Sequence, residues 1–238
     1  MGMSKDDLLF SIIGILSGFI LGFFLTNSYN QRAVAPAAST TNQVASAPAT
    51  QTEAPALPDT PDPQMLAAAQ KRASDAPQDF EAQMQAGEIF YRAKKYTEAA
   101  GFLNKANQIK PDAFEPLIGL GNTYFDDAAK NNANDKWPLA EKWYSEALKK
   151  DANNVGTRTD LGLTFVFREP PDYERAIENF RKSLELDPQH EQTLQNLTFA
   201  YLKTNNKKEA TATLLRLEKV NPKNAALGKL REDVAAAK

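Results

Sequence analysis

The sequence predicts an all-α fold: a solenoid of stacked helix pairs, set behind one apolar segment and a linker poor in large side chains. Three observations predict it. Pro77 and Pro111 stand 34 residues apart, as do Pro188 and Pro222, and a fixed period in that range marks small stacked units rather than one globular core. Within each period, small and aromatic residues return at the same places. Residues 8–25 and 27–63 share none of this pattern, and they differ sharply from each other.

Residues 8–25 carry no charge, and 13 of the 18 are Leu, Ile or Phe. As a helix the run would span about 27 Å, close to the hydrocarbon thickness of a bilayer. A membrane helix is therefore predicted over residues 8–26, behind a short head at 1–7. The competing reading is a cleaved signal peptide, for which Ala33-Val34-Ala35 offers a small-x-small site. Pro36 directly after that site, and the length of the run, favour an uncleaved anchor. Lys5 before the span and Arg32 after it give little positive-inside bias, but the short head favours the cytoplasm. In a bacterium that places the bulk of the chain in the periplasm, held at the inner membrane. Gly14, Gly18 and Gly22 fall on one face of the span, a spacing that lets two membrane helices approach closely. Glycine is also simply common in such helices, so self-association through this face stays open.

Residues 27–63 hold 9 Ala, 6 Pro and 8 Ser or Thr. So little large apolar surface cannot offset the entropy of ordering, and a disordered linker is expected. Its reach would be about 35 Å as a flexible coil and roughly 115 Å if fully extended.

From residue 64 to 238 the period organises the chain. The first unit places Gln83, Ala86, Gly87 and Phe90 on one helix and Ala99, Leu103 and Ala106 on the next, closed by Pro111. The second has Leu117, Leu120, Gly121 and Tyr124, then Ala140, Tyr144 and Ala147. The third has Leu161, Gly162 and Phe165, then Ala176, Phe180 and Ser183, closed by Pro188. The fourth has Leu194, Leu197, Thr198 and Tyr201, then Ala210, Leu214 and Leu217, closed by Pro222. Small residues allow the paired helices to approach, the aromatic fills the gap between units, and Pro ends the second helix in three of the four units.

This pattern resembles the tetratricopeptide repeat (TPR) over about three quarters of the chain. The resemblance implies a right-handed α-α superhelix of about four repeats. Residues 65–74 fit a second helix that lacks its first, and Leu227, Leu230 and Val234 mark a capping helix, for about ten helices in all. Four features depart from the pattern. Thr198 replaces a smaller residue, Ala152 stands where Pro would close the second unit, seven extra residues separate Tyr124 from Ala140, and two separate Phe165 from Ala176. The first insertion, at 126–138, is rich in Asp and Asn, yet it lacks the ligand order, central Gly and closing Glu of a calcium loop. A longer first helix followed by a solvated polar loop is expected there.

Composition narrows function. Lys5 and Arg32 are the only basic residues before position 65, leaving 26 Lys and Arg against 25 Asp and Glu beyond it. No basic field for nucleic acid results. The absence of Cys excludes disulfides and thiol chemistry. No nucleophile elbow, phosphate loop or His pair occurs, and the single histidine, His190, reads as an exposed turn residue. The chain is predicted to be no enzyme and to need no cofactor or metal.

Function then falls to the surface that the resemblance implies: a concave groove lined by the first helix of each unit, holding a protein or peptide. Projected onto this chain, it brings Glu81, Met84, Glu88 and Tyr91 together with Ile118, Asn122 and Phe125. The third unit adds Thr159, Leu163, Val166 and Phe167, and the fourth Gln195, Phe199 and Leu202. Such a groove would be largely apolar and would suit a hydrophobic or amphipathic segment. The carboxylate clamp of some family members is absent, because Met84, Glu88, Gly119 and Glu115 occupy its places. The expected role is a membrane-anchored scaffold that assists assembly or maturation of a cell-envelope complex, as in cytochrome c maturation, secretion or pilus assembly. A self-oligomerising scaffold and a protein resembling mitochondrial import receptors are the alternatives. The repeat register is itself testable: Ala176→Trp should overpack the third unit, cost about 1–3 kcal/mol and lower the melting temperature, whereas an unchanged value would displace Ala176 from the core.

Overall fold

The structure, a computed structural model, describes residues 61–237. The predicted anchor with Gly14, Gly18 and Gly22, and the linker up to residue 60, lie outside the described residues. Among the described residues no helix is long and apolar enough to cross a membrane.

Among the described residues ten α-helices follow one another: α1 (Pro63–Asp75), α2 (Phe80–Arg92), α3 (Tyr96–Ile109), α4 (Glu115–Asn131), α5 (Trp137–Lys150), α6 (Val155–Phe167), α7 (Tyr173–Leu186), α8 (Glu191–Lys203), α9 (Lys207–Val220) and α10 (Leu227–Ala236). The four predicted units are the pairs α2/α3, α4/α5, α6/α7 and α8/α9, preceded by the half-unit α1 and closed by α10. The first helices α2, α4, α6 and α8 touch one another in sequence, so they form one continuous row.

Local chemistry sets the helix ends. Asp62, Asp79, Asn154, Asp172 and Asn206 each accept a backbone N–H of the helix they precede, which satisfies donors that the first turn leaves unpaired. Within pairs the turn repeats as well. The carbonyls of Phe90, Phe165 and Tyr201 accept the N–H of Lys95, Asp172 and Asn206 at 2.8–2.9 Å. Lys94 and Asn205 adopt the left-handed conformation in two of these turns. Between pairs, Asp151, Asp187 and Asn221 each accept the N–H two residues on through a side-chain oxygen. That turn explains Ala152: the Asp151 side chain stops the helix with or without the proline that follows Asp187 and Asn221.

Three of the four pairs close around a glycine. A Cβ on Gly87 would lie 2.7 Å from Leu103, one on Gly121 2.5 Å from the Tyr144 ring, and one on Gly162 2.5 Å from the Phe180 ring. The recurring alanines Ala99, Ala140, Ala176 and Ala210 are fully buried beside them. Thr198 takes the glycine's place in the fourth pair and is fully buried, its hydroxyl donating to the Leu194 carbonyl. At the ends, Ala69 and Ala73 of α1 pack on Ala86 and Ile89, the buried Gln83 amide donates to the Ala73 carbonyl at 2.7 Å, and Leu227, Leu230 and Val234 bury the inner face of α10.

The insertion at 126–138 corrects the sequence reading in part. It does lengthen α4, which runs 17 residues and ends on the left-handed Asn132. A short 3-10 turn, Asn134–Lys136, follows. The segment is not simply solvated, however: Asp126, Ala128, Ala129 and Trp137 are buried. His190 also departs from expectation. It is partly buried, and its Nδ1 lies 2.6 Å from the Thr193 hydroxyl.

Adding a methyl group where the Tyr144 ring rests should push two buried elements apart. Gly121→Ala is expected to destabilise the fold by about 1–3 kcal/mol and to lower the melting temperature by several degrees. Gly101→Ala, where a Cβ meets nothing within 4 Å, serves as the control and should not lower it.

Candidate partner-binding surface

The row of first helices is the surface on which the groove was predicted, and the structure divides its residues in two. Ile118, Phe125, Thr159, Leu163, Val166 and Gln195 are buried, with Thr159 and Leu163 almost completely so. These side chains are used in packing between units. Met84, Glu88, Tyr91, Asn122, Phe167, Phe199 and Leu202 remain partly exposed, and Glu81 is exposed. Met84 itself leans on the core formed by Ala100, Leu103 and Leu120. The expected apolar groove is thus largely consumed by the solenoid, because branched and aromatic side chains on a helix between two neighbours find packing partners on both sides. What remains accessible is aromatic and polar.

A polar cluster forms along α4, which α2 and α6 flank. The Tyr91 hydroxyl of α2 donates to Asp126 of α4 at 2.6 Å, and Lys130 donates to the same carboxylate oxygen at 2.8 Å. The Tyr144 hydroxyl of α5 donates to Asn122 Oδ1 at 2.8 Å. Burial, then the Asp126 carboxylate, hold the Tyr91 hydroxyl well above its ordinary pKa. Tyr144 is raised likewise, by burial and by the charges of Asp160 and Asp126. Asp160 of α6 is partly buried and makes no hydrogen bond or ion pair among the described residues. Burial and the nearby Asp126 raise its pKa to about 7. Glu88 is raised by burial, with Arg92 opposing. Tyr96, 5% exposed, leaves its hydroxyl without a partner, and the charges of Asp126 and Asp127 act on it.

Aromatic residues flank this cluster. Phe125 meets Trp137 and Phe167 edge-on at 5.2 and 5.9 Å, and Trp137 stacks on Phe167 at 6.3 Å. The inserted segment therefore delivers Trp137 to the junction of α4 and α6. In the fourth unit the Phe199 ring lies 6.4 Å from Tyr173, with the Lys203 ammonium 5.1 Å from its centre.

Sequence reasoning missed two features. Asp126 and Asp160 looked like ordinary surface carboxylates; their unit positions, one toward the end of a first helix and one near the start of the next, were the available signal. The second is a buried hydroxyl network in which Thr159 Oγ1 lies 2.8 Å from Ser183 and 2.6 Å from Thr193, continuing to His190. Ser183 there replaces the alanines Ala106 and Ala147 of the first two units. Two clefts lie apart from the cluster. One of about 600 Å³ between α7 and α9 includes Ile177, Arg181 and Arg216, and one of about 550 Å³ between α1 and α3 includes Leu66, Phe102 and Lys105. Among the described residues no group of His, Cys, Asp or Glu is arranged to hold a metal ion.

Residues 171–234, from α7 into α10, match the family model for the tetratricopeptide repeat. The fold is that of a tetratricopeptide solenoid. A crystal structure of MamA is similar, with a TM-score of 0.59 at 19% identity over 68% of this chain and 89% of that one. MamA from Desulfovibrio magneticus RS-1 gives 0.56 at 18% identity, over 68% and 86%. A thermophilic TPR protein from Thermus thermophilus gives 0.53 at 17%, over 73% and 88%. At these identities the likeness is one of fold. No curated protein matches the chain.

The titration of Asp160 has a defined sign. Its carboxyl titrates near 7 in the fold against a reference value of 3.8, so between those values the native state binds a proton that the unfolded chain does not. Its effect on stability is therefore increasingly unfavourable as pH rises from about 4 to 7 and constant above that. Asp160→Asn should raise the melting temperature at pH 8 and leave it nearly unchanged at pH 4. Thermal melts at the two values check this, and an equal shift at both would contradict the placement.

Proposed function

We propose that the chain is a non-enzymatic scaffold that binds a protein or peptide partner along the row formed by α2, α4, α6 and α8. Residues 8–26 hold it in a bacterial inner membrane with the helical unit in the periplasm, where it assists assembly or maturation of a cell-envelope complex. The observation that carries this reading is the continuous row of first helices. It leaves Glu88, Tyr91, Asn122, Phe167, Phe199 and Leu202 partly exposed on one face. Solenoids use such extended rows for docking, because successive units present side chains at regular intervals to one elongated ligand.

Self-assembly is the second reading, and one observation favours it. Helix α1 packs as a second helix on α2 with no first helix of its own among the described residues, so the stack has an edge to which another unit could be added. Sedimentation of the full chain in zwitterionic detergent over a hundredfold concentration range separates the two, a monomer excluding assembly through that edge.

The docking reading is tested by affinity capture from the native membrane with the full chain, beside a Glu88→Lys, Phe199→Glu double variant. These positions are preferred to the buried Leu163, where a charge would unfold the unit. Loss of about tenfold or more of one captured protein, from a variant that keeps its helicity and melting temperature, is the expected result. Undiminished capture would move the site off this row.

A further inference from the structure

The outer face of α9 carries a feature that the other second helices lack. Its inner side, Ala210, Thr213, Leu214 and Leu217, is buried. On the outside, Lys208, Ala212, Leu215 and Lys219 follow one another at helical spacing. All four are exposed, Leu215 at 60%. In the 34-residue register its place is held by Asn104, Ser145 and Arg181 in the other units, so the stack elsewhere gives this position to polar groups. One exposed leucine is ordinary by itself, but this one stands between two lysines. The side chains of Lys208 and Lys219 make no hydrogen bond or ion pair among the described residues.

The surroundings are basic as well. Residues 203–223 carry six Lys and Arg against two Glu, in a chain whose net charge is -2. Both acids lie off the stripe: Glu209 lines the cleft toward α7, and Glu218 receives Arg231 of α10. Val220, 36% exposed, adds a second apolar group at the end of the same helix. Unpaired cations around an apolar tip suit the surface of a charged bilayer, where ammonium groups meet anionic headgroups while their stems and a leucine reach the acyl boundary. An exposed helix side is a ridge, which a planar bilayer receives without a complementary pocket.

We propose that α9 rests this stripe on an anionic lipid surface, Lys208 and Lys219 against the headgroups and Leu215 at the acyl boundary. Because α8 packs on the inner side of α9, the contact leaves the row of first helices uncovered. It also fixes how the helical unit stands above the membrane. This contact presupposes that the chain lies at a membrane, as proposed above, and is independent of the docking row.

The chain has no cysteine, so Ala212→Cys admits a single NBD label beside Leu215. Gly101→Cys on α3, the corresponding place in the first unit, where an added Cβ meets nothing within 4 Å, is the control. Each labelled full-length chain is placed in nanodiscs of phosphatidylcholine, with or without anionic phosphatidylglycerol, that contain a doxyl-labelled lipid as quencher. The label at 212 should be quenched at least about threefold more strongly in the anionic discs, and the label at 101 equally in both. Lys208→Glu together with Lys219→Glu should abolish the difference, and Leu215→Gln should reduce the quenching severalfold at an unchanged melting temperature. Equal quenching of the 212 label in both discs, or a difference that survives the charge reversal, overturns the inference. A blue shift without quenching, seen only in discs that hold two chains, assigns the face to a second copy and overturns it too. Co-elution with the zwitterionic discs reads the anchor separately. A chain that stays in them and shows no anionic response refutes the α9 contact alone, whereas one that joins only anionic discs, with its 212 label quenched, upholds the contact and refutes the anchor.

Discussion

Everything in the helical unit depends on how closely two helices of one pair can approach. Gly87, Gly121 and Gly162 let a Leu, a Tyr or a Phe from the second helix rest directly on the backbone of the first, at distances that no Cβ would allow. That contact fixes the depth of each pair, and the depth decides which faces of the first helices are left for their neighbours. The row α2, α4, α6, α8 is therefore a product of packing inside pairs before it is a surface for anything else. The large ring of Tyr144 on Gly121 carries its hydroxyl as far as Asn122, so the same contact that closes the second pair also helps to build the polar cluster.

The connections are economical because they reuse backbone chemistry. A carbonyl near the end of the first helix accepts the residue that starts the second, and an Asp or Asn side chain ends the second helix. Neither device needs a particular loop sequence beyond one polar residue in the right place. The second unit can thus absorb a seven-residue insertion and lack its proline without losing the stack. The insertion is not idle: it extends α4 to hold Asp126 and Lys130 on one face and brings Trp137 against Phe125 and Phe167.

Within the row of first helices, burial and exposure compete for the same side chains. Leu163, Val166, Ile118 and Phe125 are most stable when surrounded by neighbours, and they are surrounded. Met84, Asn122, Phe167, Phe199 and Leu202 stay partly exposed on the same helices and give that face a mixed aromatic and polar character.

The sequence alone determined the period, the helix count, the pairing and the residues at each close contact, because these follow from spacing along one chain and from side-chain size. Gly121 and Ala176 could be placed from the 34-residue register with no knowledge of the fold. Only the tertiary structure decided what the first helices keep for the outside. Exposure at Leu163 or Phe167 depends on the neighbouring helices, and Asp126 becomes special only when Tyr91, 35 residues earlier in sequence, folds against it. Periodicity locates a residue on its own helix, but the partner it meets across the stack is set by packing between units, which no local pattern encodes.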